Sequence, residues 1–243
     1  MPSKKTAAKK IAKGQSMDKR LKFKFTEKQL EIISRINNSD TKVVFIDGPA
    51  GSAKTLLGVY CGLKELFQEE KSTFLYIRTA AESGKINIGA RPGEVADKIH
   101  HLVGPLRDKL DELLYPDEIH KLIDEANPQV EAVPVNDIRG SNWTDKFIVV
   151  DESQNFEFSE LLTVITRLGE NSKIIFVGDS MQSDIRESGW TKFFNIFSDT
   201  DSQNNGAFLF TLGEEDIVRS EFVRFVIRKI NSQDRKNEWS PGE

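Results

Sequence analysis

Six short apolar runs punctuate the chain: 43–46 (VVFI), 73–77 (TFLYI), 130–135 (VEAVPV), 147–150 (FIVV), 173–177 (KIIFV) and 207–212 (AFLFTL). They are rich in β-branched and aromatic residues and mostly uninterrupted, as expected of parallel strands buried on both faces. Helical spacing fills much of the intervening sequence. The first run feeds a helix reaching to about Phe67, and the second run then completes a strand–helix–strand unit. Residues 94–126 carry Ile99, Leu102, Val103, Leu106, Leu110, Leu113 and Leu114 at helical intervals, with Gly104-Pro105 interrupting and Tyr115-Pro116 closing the segment. This reads as a helical insertion in an α/β core. Further helices are expected over about 159–168, with Gly169 as C-cap, and over 216–230. Upstream, residues 21–30 alternate basic with apolar positions before Thr26 offers an N-cap to the amphipathic stretch 29–36.

Length and composition add only bounds. At 243 residues, 38% hydrophobic and 30% charged, the chain has material for a sizeable core. No apolar run approaches the roughly 20 residues of a membrane span, and the lysine-rich start has no apolar segment behind it, so a cytoplasmic protein without a membrane partner is expected. Cys61, the one cysteine, sits among Leu57, Tyr60 and Leu63, a place for a packed thiol. With three histidines beside it, a zinc site is not expected. Net charge is −4, yet residues 1–20 hold seven lysines and arginines against Asp18 alone. Such a stretch reads as a disordered basic arm, either a solubilising tail or a non-specific attractor of nucleic acid phosphates. The polar residues 232–243 read as a frayed tail.

Chemistry concentrates where the apolar runs stop. Residues 47–55 (DGPAGSAKT) follow the first strand with Gly48 and Gly51 placed to turn backbone N–H groups around an anion. Lys54 supplies charge, Thr55 a hydroxyl for a phosphate-bound Mg²⁺, and the following helix its positive end. The cradle therefore comprises Gly48, Pro49, Ala50, Gly51, Ser52, Ala53, Lys54 and Thr55. The usual pattern has glycine before the lysine, where this chain has Ala53. If that position needs a positive φ, alanine costs about 1 kcal/mol; if it needs only close approach to phosphate, a methyl is tolerated, and the sequence leaves both open. The fourth run ends in Asp151-Glu152, two carboxylates delivered to the carboxyl edge of the sheet. There Asp151 would hold Mg²⁺ through water and Glu152 would orient or deprotonate an attacking water. Gln182, just beyond the fifth run, stands where a polar group can sense a terminal phosphate. The glycine-bearing segment 81–93 reads as a long functional loop.

Taken together, GPAGSAKT, VVDESQN (149–155), TRLG (166–169), VGDSMQSDI (177–185) and EDIVRS (215–220) resemble the PhoH-like, phosphate-starvation-inducible ATPase family over roughly residues 25–230. The resemblance implies a P-loop NTPase with a RecA-like parallel sheet flanked by helices, akin to the first domain of superfamily 1 helicases, ATP and Mg²⁺ as ligands, and a role on RNA. Position by position, Lys54 and Thr55 match the Walker A pair, Asp151 and Glu152 the Walker B pair, and Gln182 the phosphate-sensing glutamine. Gln29 matches an adenine-reading glutamine, although the same residue also reads as helix surface. The family's Thr-Arg-Pro after the second strand is Arg78-Thr79-Ala80 here.

The leading expectation is an ATPase coupled to RNA or single-stranded nucleic acid. An ATP-binding switch with little hydrolysis and a small-molecule kinase are the alternatives. One RecA-like core leaves too little chain for a second, so the completing arginine is expected from a neighbouring copy in a homo-oligomer, a head-to-tail ring being the natural closure. Arg219, in an Arg-Ser pair resembling a helicase phosphate-contacting motif, is the first candidate, followed by Arg167 and Arg139.

Overall fold

The computed structural model describes residues 17–68, 70–79, 94–123, 126–138, 142–185 and 187–237, without side chains for 94–102 and 230–237. The arm up to residue 16, the loop 81–93 and Arg139-Gly140 lie outside the described residues.

Each apolar run becomes a strand: β1 (Val43–Asp47), β2 (Thr73–Arg78), β3 (Val130–Pro134), β4 (Lys146–Val150), β5 (Lys173–Gly178) and β6 (Ala207–Thr211). They form one sheet in the order β3-β2-β4-β5-β1-β6, every neighbouring pair parallel. This is a parallel α/β fold of the P-loop NTPase type. Val44, Phe45, Ile46, Ile148, Val149, Ile175 and Phe176 are fully buried because helices cover both faces. On one face lie α1 (Glu27–Ile36), α2 (Lys54–Phe67), α3 (Glu94–Leu113) and α4 (Pro116–Leu122). The other face packs against α5 (Phe158–Ile165) and α6 (Trp190–Ile196). The short α7 (Thr200–Asn204) leads into β6, and α8 (Glu221–Asn237) ends the described chain. Cys61 is buried in the first core, and burial pushes its thiol up to about 12, so it is a packing residue.

Local chemistry explains several boundaries. Thr26 caps α1 in a capping box, its hydroxyl accepting from Gln29 N–H while the Gln29 side chain accepts from Thr26 N–H. The insertion is two helices split at Tyr115-Pro116, but α3 runs unbroken through Pro105. The lost backbone bond is outweighed by burial of Leu106, Leu110 and Leu113, all in the part of the helix that follows the proline. Helix α5 ends at a Thr166 cap, not at Gly169. Gly169 instead donates its N–H to Trp143 O at 2.7 Å, and a Cβ there would lie 2.4 Å from the same oxygen.

Two termini differ from expectation. Residues 17–20 are helical and docked: Met17 is fully buried, Tyr60 donates to Asp18 at 2.6 Å, and Arg20 donates to Asp111 O at 2.8 Å while stacking over Tyr115. At the other end α8 continues to Asn237 rather than stopping near 230. Helices α6 and α7 were not foreseen in the sequence.

Candidate nucleotide and metal site

A cavity of about 540 Å³ opens over the carboxyl ends of β1, β4 and β5. The loop after β1 is its floor. Gly48 has no room for a side chain, since a Cβ would sit 2.8 Å from Leu212 Cβ, and Gly51 takes φ 83°. Ala53 occupies the left-handed region at φ 61° and ψ 19°, which resolves the question the sequence left open: this position does require positive φ, and an alanine bears the strain. Lys54 then opens α2. Ala50, Gly51, Ala53, Lys54 and Thr55 line the cavity, whereas Ser52 turns inward and donates to Pro49 O at 2.8 Å.

The charged side chains converge on this floor. Lys54 Nζ donates to Gly48 O at 2.5 Å and Pro49 O at 2.9 Å. Burial lowers its pKa, opposed by the charges of Asp179, Glu152, Asp47 and Asp151. Thr55 Oγ1 donates to Asp151 Oδ1 at 2.7 Å, and the Tyr76 hydroxyl donates to Asp151 Oδ2. A hydroxyl and a buried carboxylate meeting at a cavity wall are hard oxygen donors of the kind Mg²⁺ takes, so Thr55 and Asp151 fit that ion. Burial raises the Tyr76 hydroxyl well above its ordinary pKa, keeping it a donor.

Glu152 stands beside them at φ 54°. Burial, then the Asp151 charge, raises its pKa; a bond from Gln154 and the charges of Arg78 and Lys54 pull the other way. Gln154 Nε2 donates to Glu152 Oε2 at 2.6 Å, and Arg78 lies 3.5 Å from Glu152 Oε1. Gln154 also accepts from Asp179 N–H at 3.0 Å, tying the ends of β4 and β5 together. Asp179 in turn accepts from the backbone N–H groups of Met181 and Ala50, and burial raises its pKa against the pull of Lys54.

Of the residues singled out in the sequence, Lys54, Thr55, Asp151, Glu152, Gln182 and Arg219 share this cavity. One expectation needs correction. Gln29 is fully buried and outside the cavity lining, with Nε2 donating to Ser52 O at 3.0 Å and Asp216 O at 2.9 Å. With its oxygen engaged by Thr26, the amide staples the loop and has no edge left for adenine. Arg219 packs over its own chain's loop, where a Cβ on Gly51 would lie 3.0 Å from Arg219 Cγ, so it reaches this cavity in cis. Arg167 does not line it. Sequence reasoning passed over Tyr76, Arg78, Gln154 and Asp179 as site residues, although Tyr76 lies within an apolar run that it had marked as a strand and the other three follow the ends of such runs.

A phosphate-type loop leaving the first strand of a parallel sheet, with lysine, threonine and a strand-end carboxylate converging beyond it, defines the P-loop NTPase class. A family model described as PhoH-like protein matches residues 23–231. A PhoH-like protein of Synechocystis sp. is 32% identical over 219 residues, 89% of this chain and 63% of that protein. One from Bacillus subtilis is 30% identical over 224 residues, 92% of this chain and 67% of that protein. Protein PhoH2 of Bacillus subtilis is 36% identical over 162 residues, 64% of this chain and 35% of its own length. The chain belongs to the PhoH-like family, generally ATP-binding proteins, and spans only part of the length of these relatives.

Proposed function

We propose that the chain is a Mg²⁺-dependent ATPase whose turnover is coupled to RNA or single-stranded nucleic acid. The observation that carries this reading is the placement of Glu152, its pKa raised, beside the Thr55–Asp151 pair and above Lys54 in one cavity. Loop N–H groups and Lys54 bind the phosphates, and Arg219 adds positive charge from the rim. Thr55 and Asp151 would hold Mg²⁺, which when bound would supply charge neutralisation at the phosphate oxygens. Glu152 takes a proton from the attacking water as its oxygen bonds to the terminal phosphorus, and the bond to the leaving ADP oxygen breaks. Gln182, at the cavity edge, senses the terminal phosphate.

Glu152 is held by Arg78 and Gln154, and this favours a coupled enzyme over one running freely. A nucleic acid phosphate that draws Arg78 away frees the carboxylate for water. The same contacts support the second reading, an ATP-binding switch that hydrolyses little without a partner. The basic residues near the N-terminus add salt-sensitive affinity without sequence preference, and assembly into a homo-oligomer stays part of the proposal.

Phosphate release from ATP, with and without a panel of RNA and DNA strands, is the test. Turnover should need Mg²⁺ and rise with nucleic acid. Lys54→Ala should lose ATP binding, whereas Glu152→Gln should bind and not turn over. Equal loss of binding in both variants contradicts the assigned roles.

A further inference from the structure

With the Gln29 amide fully bonded to backbone, the base of a bound nucleotide must be held by other groups. The cavity supplies a second wall, made by parts of the chain far from the phosphate loop. Lys22 and Phe23 line it from the segment just after the docked residues 17–20. Lys109 and Glu112 line it from α3. This wall is braced. Phe23 packs edge-on against Phe25 with ring centres 5.5 Å apart, and Phe25 packs against Tyr60 of α2 at 5.3 Å. The bonds of Asp18 to Tyr60 and of Arg20 to Asp111 fasten the segment to α2 and α3. Lys109 Nζ and Glu112 Oε1 are 2.5 Å apart, one turn of helix presenting a donor beside an acceptor.

We propose that this wall is a nucleobase subsite, selective for purines, with Phe23 as the stacking platform and the Lys109–Glu112 pair as the edge reader. The inference rests on the phosphate-binding role of the loop. An aromatic face next to a phosphate cradle stacks any base, and a two-ring base covers more of it than a one-ring base. The Watson–Crick edge of every base sets an N–H donor next to an acceptor, the complement of a carboxylate beside an ammonium, so this pair reads donor–acceptor order while ring area sets the purine preference. Leu56, the second residue of α2 after Lys54, lines the cavity and gives the ribose an apolar neighbour.

Calorimetric titration with ATP, GTP, CTP, UTP and inorganic tripolyphosphate, all with Mg²⁺, tests the subsite. ATP and GTP should bind more tightly than tripolyphosphate by about tenfold, the scale of one aromatic stack, with CTP and UTP between them. Phe23→Leu should remove that advantage and leave tripolyphosphate affinity unchanged, while Phe23→Trp keeps it. Glu112→Gln should change the ratio of ATP to GTP affinity without touching tripolyphosphate. Equal wild-type affinity for all five ligands, or a Phe23→Leu variant that weakens ATP and tripolyphosphate alike, overturns the subsite while the phosphate cradle stands. A wild-type protein that binds none of them overturns both.

Discussion

Single residues carry the tension between stability and chemistry in this site. Ala53 and Glu152 both sit at positive φ, each at a strain of about 1 kcal/mol, and both touch the reacting region. Ala53→Gly removes that strain without moving a loop that already has the required shape. Melting should therefore rise by about 2–4 °C for a chain of this size, with ATP turnover little changed; a large rate gain would mean the methyl blocks phosphate. Glu152 allows a prediction in pH. Its raised pKa means that activity falls, as pH drops, at a higher pH than for an ordinary carboxylate. The Gln154 bond opposes that rise, so Gln154→Leu should move the acidic limb of kcat/KM to higher pH still. An unmoved limb would assign that ionisation elsewhere. The Ala53 ambiguity was visible in the sequence, but its resolution was not, because a backbone dihedral depends on what the loop packs against.

Among the elements, the strands were legible and part of the helical layer was not. Runs such as FIVV have one solution when both faces are covered, so all six strands appear where the apolar pattern put them. Helix α6 escaped because it is only seven residues long and aromatic, too short for periodicity to register. Its Trp190 and Phe193 nevertheless close the core around Phe45. Equally invisible was the buried ion pair that pins β5 to α2 and α1: Lys173 donates to Glu65 Oε1 at 2.6 Å and to Ile36 O at 2.7 Å, with both side chains below a tenth exposed. Glu65→Ala strands a buried ammonium and should cost about 3–5 kcal/mol in chemical denaturation. The double variant Glu65→Leu with Lys173→Met should recover only part of that loss, because buried Lys71, 3.7 Å from Glu65 Oε2, also loses its carboxylate partner. If the single variant costs under about 1 kcal/mol, water reaches the pair and it is not truly buried.

For the whole molecule, the placement of Arg219 changes what an assembly needs. Mixing Lys54→Ala protein with Arg219→Ala protein should not restore turnover, since both side chains serve the same cavity of the same chain. Recovered activity would show instead that Arg219 swings to a neighbour. The cavity itself was half legible. Motifs gave the phosphate end because its residues lie next to strand ends, whereas Phe23, Lys109 and Glu112 meet only through tertiary packing of segments more than eighty positions apart. That packing also has a mechanical side. Among the described residues, the N-terminal strap is fastened by a buried Met17, side-chain bonds from Asp18 and Arg20 and the packing of Phe25 on Tyr60, with no strand pairing. A pull on the N-terminus therefore peels one wall away from the cavity before it loads the sheet, making the strap a handle through which tension on the basic arm would loosen the grip on a nucleotide.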